Sequence, residues 1–176
     1  DLKIVNSLPP QAVRGDKISW DTEWFGQIKA KLHRPHGRFA YIGCSFDGQT
    51  VYYVTDIGQV KEFLERINLG VWILANAKYD FTQLGKYVEI PERTLLWDTQ
   101  LIEQIMWSGY YSPSDFGLAD LSRRYLDVYM PKEIRSEFSN DELVEMTQEQ
   151  IDYACVDVVA TWRVYQKQRK SILFIT

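Results

Sequence analysis

Four carboxylic acids in otherwise apolar stretches are the residues of this sequence best suited to chemistry. They form three groups: Asp21 with Glu23, then Asp80, then Asp157. Burying an ionised carboxylate without a partner is costly, so acids placed beside core-type residues indicate a strongly positive partner. A divalent metal ion is the simplest such partner.

The spacing of these acids also favours a shared site. Side chains of a strand alternate with a period of two, so Asp21 and Glu23 project to one side and can reach one metal ion. Positions four apart on a helix share a face, which places Tyr153 one turn before Asp157. Asp80 begins a predicted helix near the crevice where open α/β sheets bind ligands. Helix caps or surface pairs would explain any one motif, but their combined order and placement favour a joint site.

The elements that must position these acids follow an α/β pattern. Hydrophobic periodicity predicts helices that begin near Asp56, Tyr79, Thr99, Gly117 and Gln148, the last ending at about residue 168. A Thr147–Gln150 capping box starts that last helix. Alternation and apolar runs predict strands over residues 17–23, 39–46, 50–54, 71–75 and 95–97. The last two runs are uninterrupted, which is typical of strands covered on both faces.

Length and composition fit one globular domain. The chain has 176 residues, of which 45% are hydrophobic. We expect an N-terminal arm or edge strand over residues 1–16, the domain over 17–170 and a tail over 171–176. The apolar contexts of Cys44 and Cys155 favour buried thiols in a reducing intracellular compartment, such as the cytoplasm, a nucleoid or a nucleic-acid-containing organelle. We expect no membrane association, because no long apolar run or leader segment is present.

The charge distribution bears on binding to nucleic acid. A net charge of −4 argues against a protein that coats nucleic acid through a basic surface. Two divalent cations at the four acids would bring the loaded protein close to neutral. Residues 26–38 form a basic segment, which a hairpin touching a nucleic-acid backbone and a solvated loop explain equally well. Its cationic residues are Lys29, Lys31, His33, Arg34, His36 and Arg38.

The three motifs together resemble those of the DEDDy 3′–5′ exonucleases, a group that includes the proofreading domains of family A DNA polymerases, RNase D and Werner-type nucleases. The matching residues are Asp21-x-Glu23, Asn76-x-x-x-Asp80 and Tyr153-x-x-x-Asp157. Segments 97–101, 117–126 and 146–154 are also similar, so the likeness covers roughly residues 17–166. The resemblance implies an RNase H-like (DnaQ-like exonuclease) α/β fold, with a central mixed sheet of five strands flanked by helices.

The resemblance also implies a two-metal mechanism with Mg²⁺ or Mn²⁺. Asp21, Glu23 and Asp157 would bind the catalytic ion. Asp21 would bridge to a second ion about 4 Å away, held by Asp80 directly or through water. Oxygen ligands alone suit these hard cations and disfavour zinc. Tyr153, helped by Glu23, would orient the attacking water through its hydroxyl.

Contacts to the substrate are less well defined by the sequence. Asn76 would touch the terminal nucleotide or order the site, while a capping or turn role explains this residue equally well. Thr22, Trp24 and Phe25 beside the first motif are further candidates for substrate binding, with Phe25 the candidate for the apolar wedge of the family. Ala75 stands where many proofreading domains carry a histidine, which leaves the acids intact but weakens assignment to a subgroup.

Several functions are compatible with the sequence. We first expect a metal-dependent exonuclease that releases nucleoside 5′-monophosphates from the 3′ ends of single-stranded DNA, as the proofreading part of a polymerase whose polymerase domain lies on the same or another chain. A stand-alone RNase D-like exoribonuclease is the alternative, since no residue fixes contacts to the sugar 2′ position. A catalytically silent module that binds nucleic acid or protein belongs to another class, and the intact acids with Tyr153 argue against it. A metal-free structural domain would leave the apolar neighbourhoods of the acids unexplained.

Overall fold

A six-stranded mixed sheet forms the centre of the fold. The structure is a computed structural model that describes residues 1–26, 37–91, 95–130, 137–138 and 145–172. In chain order the strands are β1 (Lys3–Asn6), β2 (Lys17–Phe25), β3 (Arg38–Ser45), β4 (Thr50–Val54), β5 (Val71–Leu74) and β6 (Leu95–Asp98). Across the sheet their order is β1-β4-β3-β2-β5-β6, and β3 alone of these six strands runs antiparallel to both of its neighbours.

Helices lie on both faces of this sheet. The described residues form α1 (Val60–Ile67), α2 (Ala77–Leu84), α3 (Thr99–Trp107), α4 (Leu118–Leu126) and α5 (Gln148–Ile172). Helices α1 and α2 pack on one face, in a core that also holds apolar residues of β2, β3 and β5. Helix α5 packs on the other face, against β2 and β3.

Large aromatic side chains fill the core on the α1 side. Trp20 of β2 and Trp72 of β5 are fully buried, and their ring centroids lie 5.1 Å apart in an edge-on arrangement. Such aromatic pairs add to the free energy gained from burying their surface. The apolar stripe of α1 completes this core with Val60, Phe63, Leu64 and Ile67. Much of the aromatic content of the chain therefore serves packing.

The predicted α/β fold is confirmed, and the sheet has one strand more than the five expected. The additional strand is β1, which pairs in parallel with β4 at the edge of the sheet, within the segment predicted as an N-terminal arm or edge strand. One prediction was wrong: residues 95–97 are not a buried strand. Strand β6 lies at the edge of the sheet, where Leu95 is 67% and Leu96 is 44% exposed. An apolar run does not by itself distinguish a central strand from an edge strand.

Other predictions concern the cysteines, the membrane and the connecting segments. Cys44 and Cys155 are both buried as free thiols, as predicted. No helix of the described residues combines the length and apolar character needed to cross a membrane. Most of the predicted basic segment and the end of the predicted tail lie outside the described residues. The domain boundaries at residues 16 and 170 stay predictions.

A buried polar cluster fixes α5 to α3 and α4. The carboxylate of Glu103 accepts hydrogen bonds from Arg124 Nη1 at 2.6 Å, Tyr125 Oη at 2.9 Å and Gln168 Nε2 at 2.8 Å. Gln168 Nε2 also donates to the Thr99 carbonyl oxygen at 2.8 Å. Burial and the Glu103 carboxylate raise the pKa of Tyr125 to about 12, so its hydroxyl stays a donor. The cluster thereby anchors the helix that carries the third acidic motif.

We expect Arg124→Met to lower the free energy of unfolding by about 3–5 kcal/mol, because fully buried Glu103 would lose the cation that pairs with its charge. Urea denaturation measures this change. Lys61→Met is the control, since the Lys61–Glu65 pair spans 3.9 Å with side chains 78% and 60% exposed. Its removal should change stability by less than ~1 kcal/mol. Equal effects of the two substitutions would contradict a stabilising role of the cluster.

Candidate metal centre

The first acidic motif lies within β2, whose alternation separates its acids from its core residues. Trp20 and Trp24 are buried in the core on the α1 side. Thr22 shares their face and is also buried. Asp21 and Glu23 point to the opposite face, towards α5, and are half-buried. Both carboxylates therefore project to the same side of β2, as strand alternation predicts.

The third motif follows the start of α5. The predicted capping box is present: Thr147 Oγ1 accepts from the Gln150 backbone N–H at 3.2 Å, and Gln150 Oε1 accepts from the Thr147 N–H at 3.0 Å. Satisfied N–H groups fix the first turn and hence the rotation of the helix. Tyr153 and Asp157 lie on the buried side of α5.

The structure brings Asp21, Glu23 and Asp157 together. One carboxylate oxygen from each lies within 4.8 Å of the others. Carboxylates this close repel one another unless protons or a cation offset their charge. Carboxylate oxygens are also the ligands that Mg²⁺ and Mn²⁺ prefer. The donor set therefore fits a hard divalent cation.

Asp80 lies in the first turn of α2 and is only 2% exposed. Its Oδ1 accepts hydrogen bonds from the Thr22 backbone N–H at 3.2 Å and from the Thr22 hydroxyl. That hydroxyl in turn accepts from Trp24 Nε1 at 2.8 Å. Burial, followed by the charge of Asp21, raises the pKa of Asp80 well above its usual range. The fourth acid is thus fixed to β2 and interacts electrostatically with the three-carboxylate cluster.

Asp98, at the end of β6, fixes the starts of two helices. Its carboxylate accepts from the backbone N–H of Ala77 at 2.8 Å and of Asn76 at 3.2 Å, at the start of α2. It also accepts from the N–H of Gln100 at 2.9 Å and of Leu101 at 3.1 Å, at the start of α3. An acid is stabilising at a helix N-terminus. No role was predicted for Asp98 from the sequence, although an Asp directly before an apolar helix signals the α3 cap.

Asn76 makes the turn from β5 into α2. Its backbone is left-handed, with φ 67° and ψ 53°, a conformation that Asn tolerates better than most residues. Its carbonyl oxygen accepts from the Tyr79 N–H at 2.9 Å, and its side chain is exposed and makes no capping hydrogen bond. The turn role is therefore present, and contact with a nucleotide stays a prediction.

The other candidate substrate residues have buried side chains. Thr22 and Trp24 lie in the α1-side core, and Phe25 stacks on Phe138 with ring centroids 5.9 Å apart. The substrate roles of these three residues stay predictions. Arg38, the described end of the basic segment, is exposed, and its guanidinium lies 5.6 Å from the Phe25 ring centroid.

The sequence matches the 3′–5′ exonuclease family over residues 10–172. The chain belongs to the 3′–5′ exonuclease family. A comparison with curated protein sequences gives no significant match.

Solved structures of nucleases share the fold. Brucella melitensis NrnC bound to pGG has a TM-score of 0.71 and 20% identity, over 99% of this chain and 83% of that chain. The same NrnC with bound Mg²⁺ gives 0.69 and 22%, over 98% and 83%. Trypanosoma brucei RNase D in complex with RNA U12 gives 0.64 and 13%, over 88% and 55%. The RNase H-like fold of this exonuclease is thereby confirmed.

We expect Asp80→Asn to stabilise the metal-free exonuclease at neutral pH. A raised pKa means that Asp80 binds its proton more tightly in the folded state, so its contribution to stability falls as pH rises from about 3.9 through the folded pKa. Asparagine cannot ionise, yet its side-chain oxygen can still accept from Thr22. Chemical denaturation in chelator at pH 5 and pH 8 should show the variant losing less stability than the wild type between the two.

The control for this experiment is Asp120→Asn. Asp120 also lies in the first turn of a helix, α4, where an acid is favourable by roughly 0.3–1 kcal/mol. Its replacement should therefore lower stability slightly at pH 8. A loss of stability of similar size in Asp80→Asn would contradict the electrostatic account of Asp80.

Proposed function

We propose that this exonuclease shortens RNA from its 3′ end and releases nucleoside 5′-monophosphates. The observation that carries the proposal is the meeting of Asp21, Glu23 and Asp157, whose carboxylate oxygens lie within 4.8 Å of one another although they come from β2 and α5. Asp80, which is buried and whose pKa is raised by burial and by the charge of Asp21, adds a fourth acid from α2. Membership of the 3′–5′ exonuclease family supports the same reaction class.

The positions of the four acids suit two cations that share Asp21 as a ligand. Asp21, Glu23 and Asp157 would hold one divalent cation, and Asp80 with Asp21 would hold a second. Bound Mg²⁺ or Mn²⁺ would supply Lewis-acid stabilisation of the scissile phosphate and of the attacking and leaving oxygens. The Mg²⁺ bound to NrnC, which shares this fold, supports the choice of cation.

Tyr153 would position the attacking water. It packs with Phe25, Ala40 and Phe138 on the α5 side of the sheet, one helical turn before Asp157. A phenol hydroxyl donates one hydrogen bond and accepts others, so it can orient a water molecule without giving up its own proton. Glu23 would accept a hydrogen bond from the same water. Together these groups would restrict the direction of attack on the phosphate.

RNA is proposed as the substrate because of the proteins that share this fold. The T. brucei RNase D structure contains RNA U12, and NrnC contains pGG. A DNA proofreading domain was the first expectation from the sequence, but these comparisons favour the RNase D-like alternative. The buried free thiols of Cys44 and Cys155 suit a reducing compartment.

The test uses 5′-labelled single-stranded RNA and DNA of matching sequence, with Mg²⁺, with Mn²⁺ or with chelator. We expect a metal-dependent ladder that shortens from the 3′ end, because two-metal cleavage needs cations at the carboxylate cluster. The ladder should shorten faster on RNA, the proposed substrate, than on DNA. Asp157→Asn should abolish the ladder. Asp152→Asn, which changes an exposed acid on the same helix, should retain it.

Each alternative result has a distinct meaning. An unchanged ladder with Asp157→Asn would overturn the proposed metal centre. Faster shortening of DNA than of RNA would overturn the proposed substrate and favour proofreading. Binding of RNA without any metal-dependent cleavage would favour a silent binding module.

A further inference from the structure

Tyr41 of β3 is fully buried, and its phenol takes no part in the metal binding or water positioning proposed above. It lies on the α5 side of the sheet, in a core with Tyr53 and Cys155. Its ring stacks on that of Tyr53 with centroids 5.6 Å apart. Its hydroxyl oxygen lies 3.5 Å from the Cys155 sulfur, and a thiol is a weak hydrogen-bonding partner. A weak partner of this kind leaves the hydroxyl able to serve another group.

The hydroxyl occupies the space left by the missing side chain of Gly43. A Cβ atom built on Gly43 would overlap with Oη and Cζ of Tyr41. Gly43 is not among the glycines with positive φ, so its backbone conformation is open to other residues. The glycine is therefore required by the space that Tyr41 fills.

This placement brings the hydroxyl to the metal centre. Gly43 is paired directly with Asp21 in the antiparallel register of β2 and β3. Residues opposed in this way point to the same face, with Cβ atoms about 4.5–5.5 Å apart. Tyr41 Oη overlaps with the position that a Gly43 Cβ would take. The hydroxyl therefore lies next to the side chain of Asp21, close enough for the Asp21 carboxylate to approach it. Burial, then Cys155 and Asp21, raise the pKa of Tyr41, which agrees with this proximity.

We propose that Tyr41 is a positioning residue of the metal centre, whose hydroxyl donates towards the Asp21 carboxylate and holds it in the orientation that meets Glu23 and Asp157. The proposal rests on the proposed metal centre. Tyr41 acts through Asp21 and would touch neither metal nor substrate. Groups that orient a metal ligand in this way typically change metal affinity by about 10–100-fold.

The test measures Mn²⁺ binding by calorimetry, independently of activity. Tyr41→Phe keeps the ring and removes the donor, so we expect its Mn²⁺ dissociation constant to rise about 10-fold or more. Tyr53→Phe is the matched control, since it removes a hydroxyl from the ring that stacks on Tyr41, one strand further from Asp21. Its dissociation constant should match that of the wild type. Thermal unfolding in chelator reports whether each variant is folded.

A third variant separates this role from a purely structural one. Cys155→Ala removes the thiol partner but leaves the Tyr41 hydroxyl in place, so Mn²⁺ affinity should be retained. Equal Mn²⁺ affinity of wild type, Tyr41→Phe and Cys155→Ala would overturn the positioning role while leaving the metal centre intact. Absence of Mn²⁺ binding by the wild type would instead overturn the proposed function.

Discussion

Electrostatic repulsion among four acids is the constraint on which the rest of the structure depends. Asp21, Glu23 and Asp157 meet on one side of the sheet, and Asp80 is buried where the charge of Asp21 acts on it. Such a group opposes folding until cations or protons offset its charge. The free energy that holds it together must therefore come from elsewhere in the fold. A site preorganised in this way binds a cation without a further rearrangement.

Each element that carries an acid is fixed by contacts that do not involve the acids themselves. Strand β2 is held by its neighbours and by buried tryptophans. Helix α2 begins at the carboxylate of Asp98, which also begins α3. Helix α5 is held by its capping box and by the buried cluster around Glu103. The acids are thus positioned by contacts to which their own carboxylates do not contribute.

Features that depend on local periodicity could be predicted from the sequence. The shared face of Asp21 and Glu23 follows from strand alternation, and the start of α5 follows from its capping box. The edge position of β6 could not, because a short apolar run looks alike whether it lies at the centre or the edge of a sheet. The same limit hid the α2 cap made by Asp98 and the pairing of Gly43 with Asp21, because both depend on the order in which strands pair.

The central claim is that the four acids form one centre for two divalent cations. Anomalous scattering from crystals grown with Mn²⁺ tests it most directly. We expect two peaks roughly 3.5–4 Å apart, the first bound by Asp21, Glu23 and Asp157 and the second between Asp21 and Asp80. Mn²⁺ bound only at other acids, with no peak among these four at saturating concentration, would contradict the account.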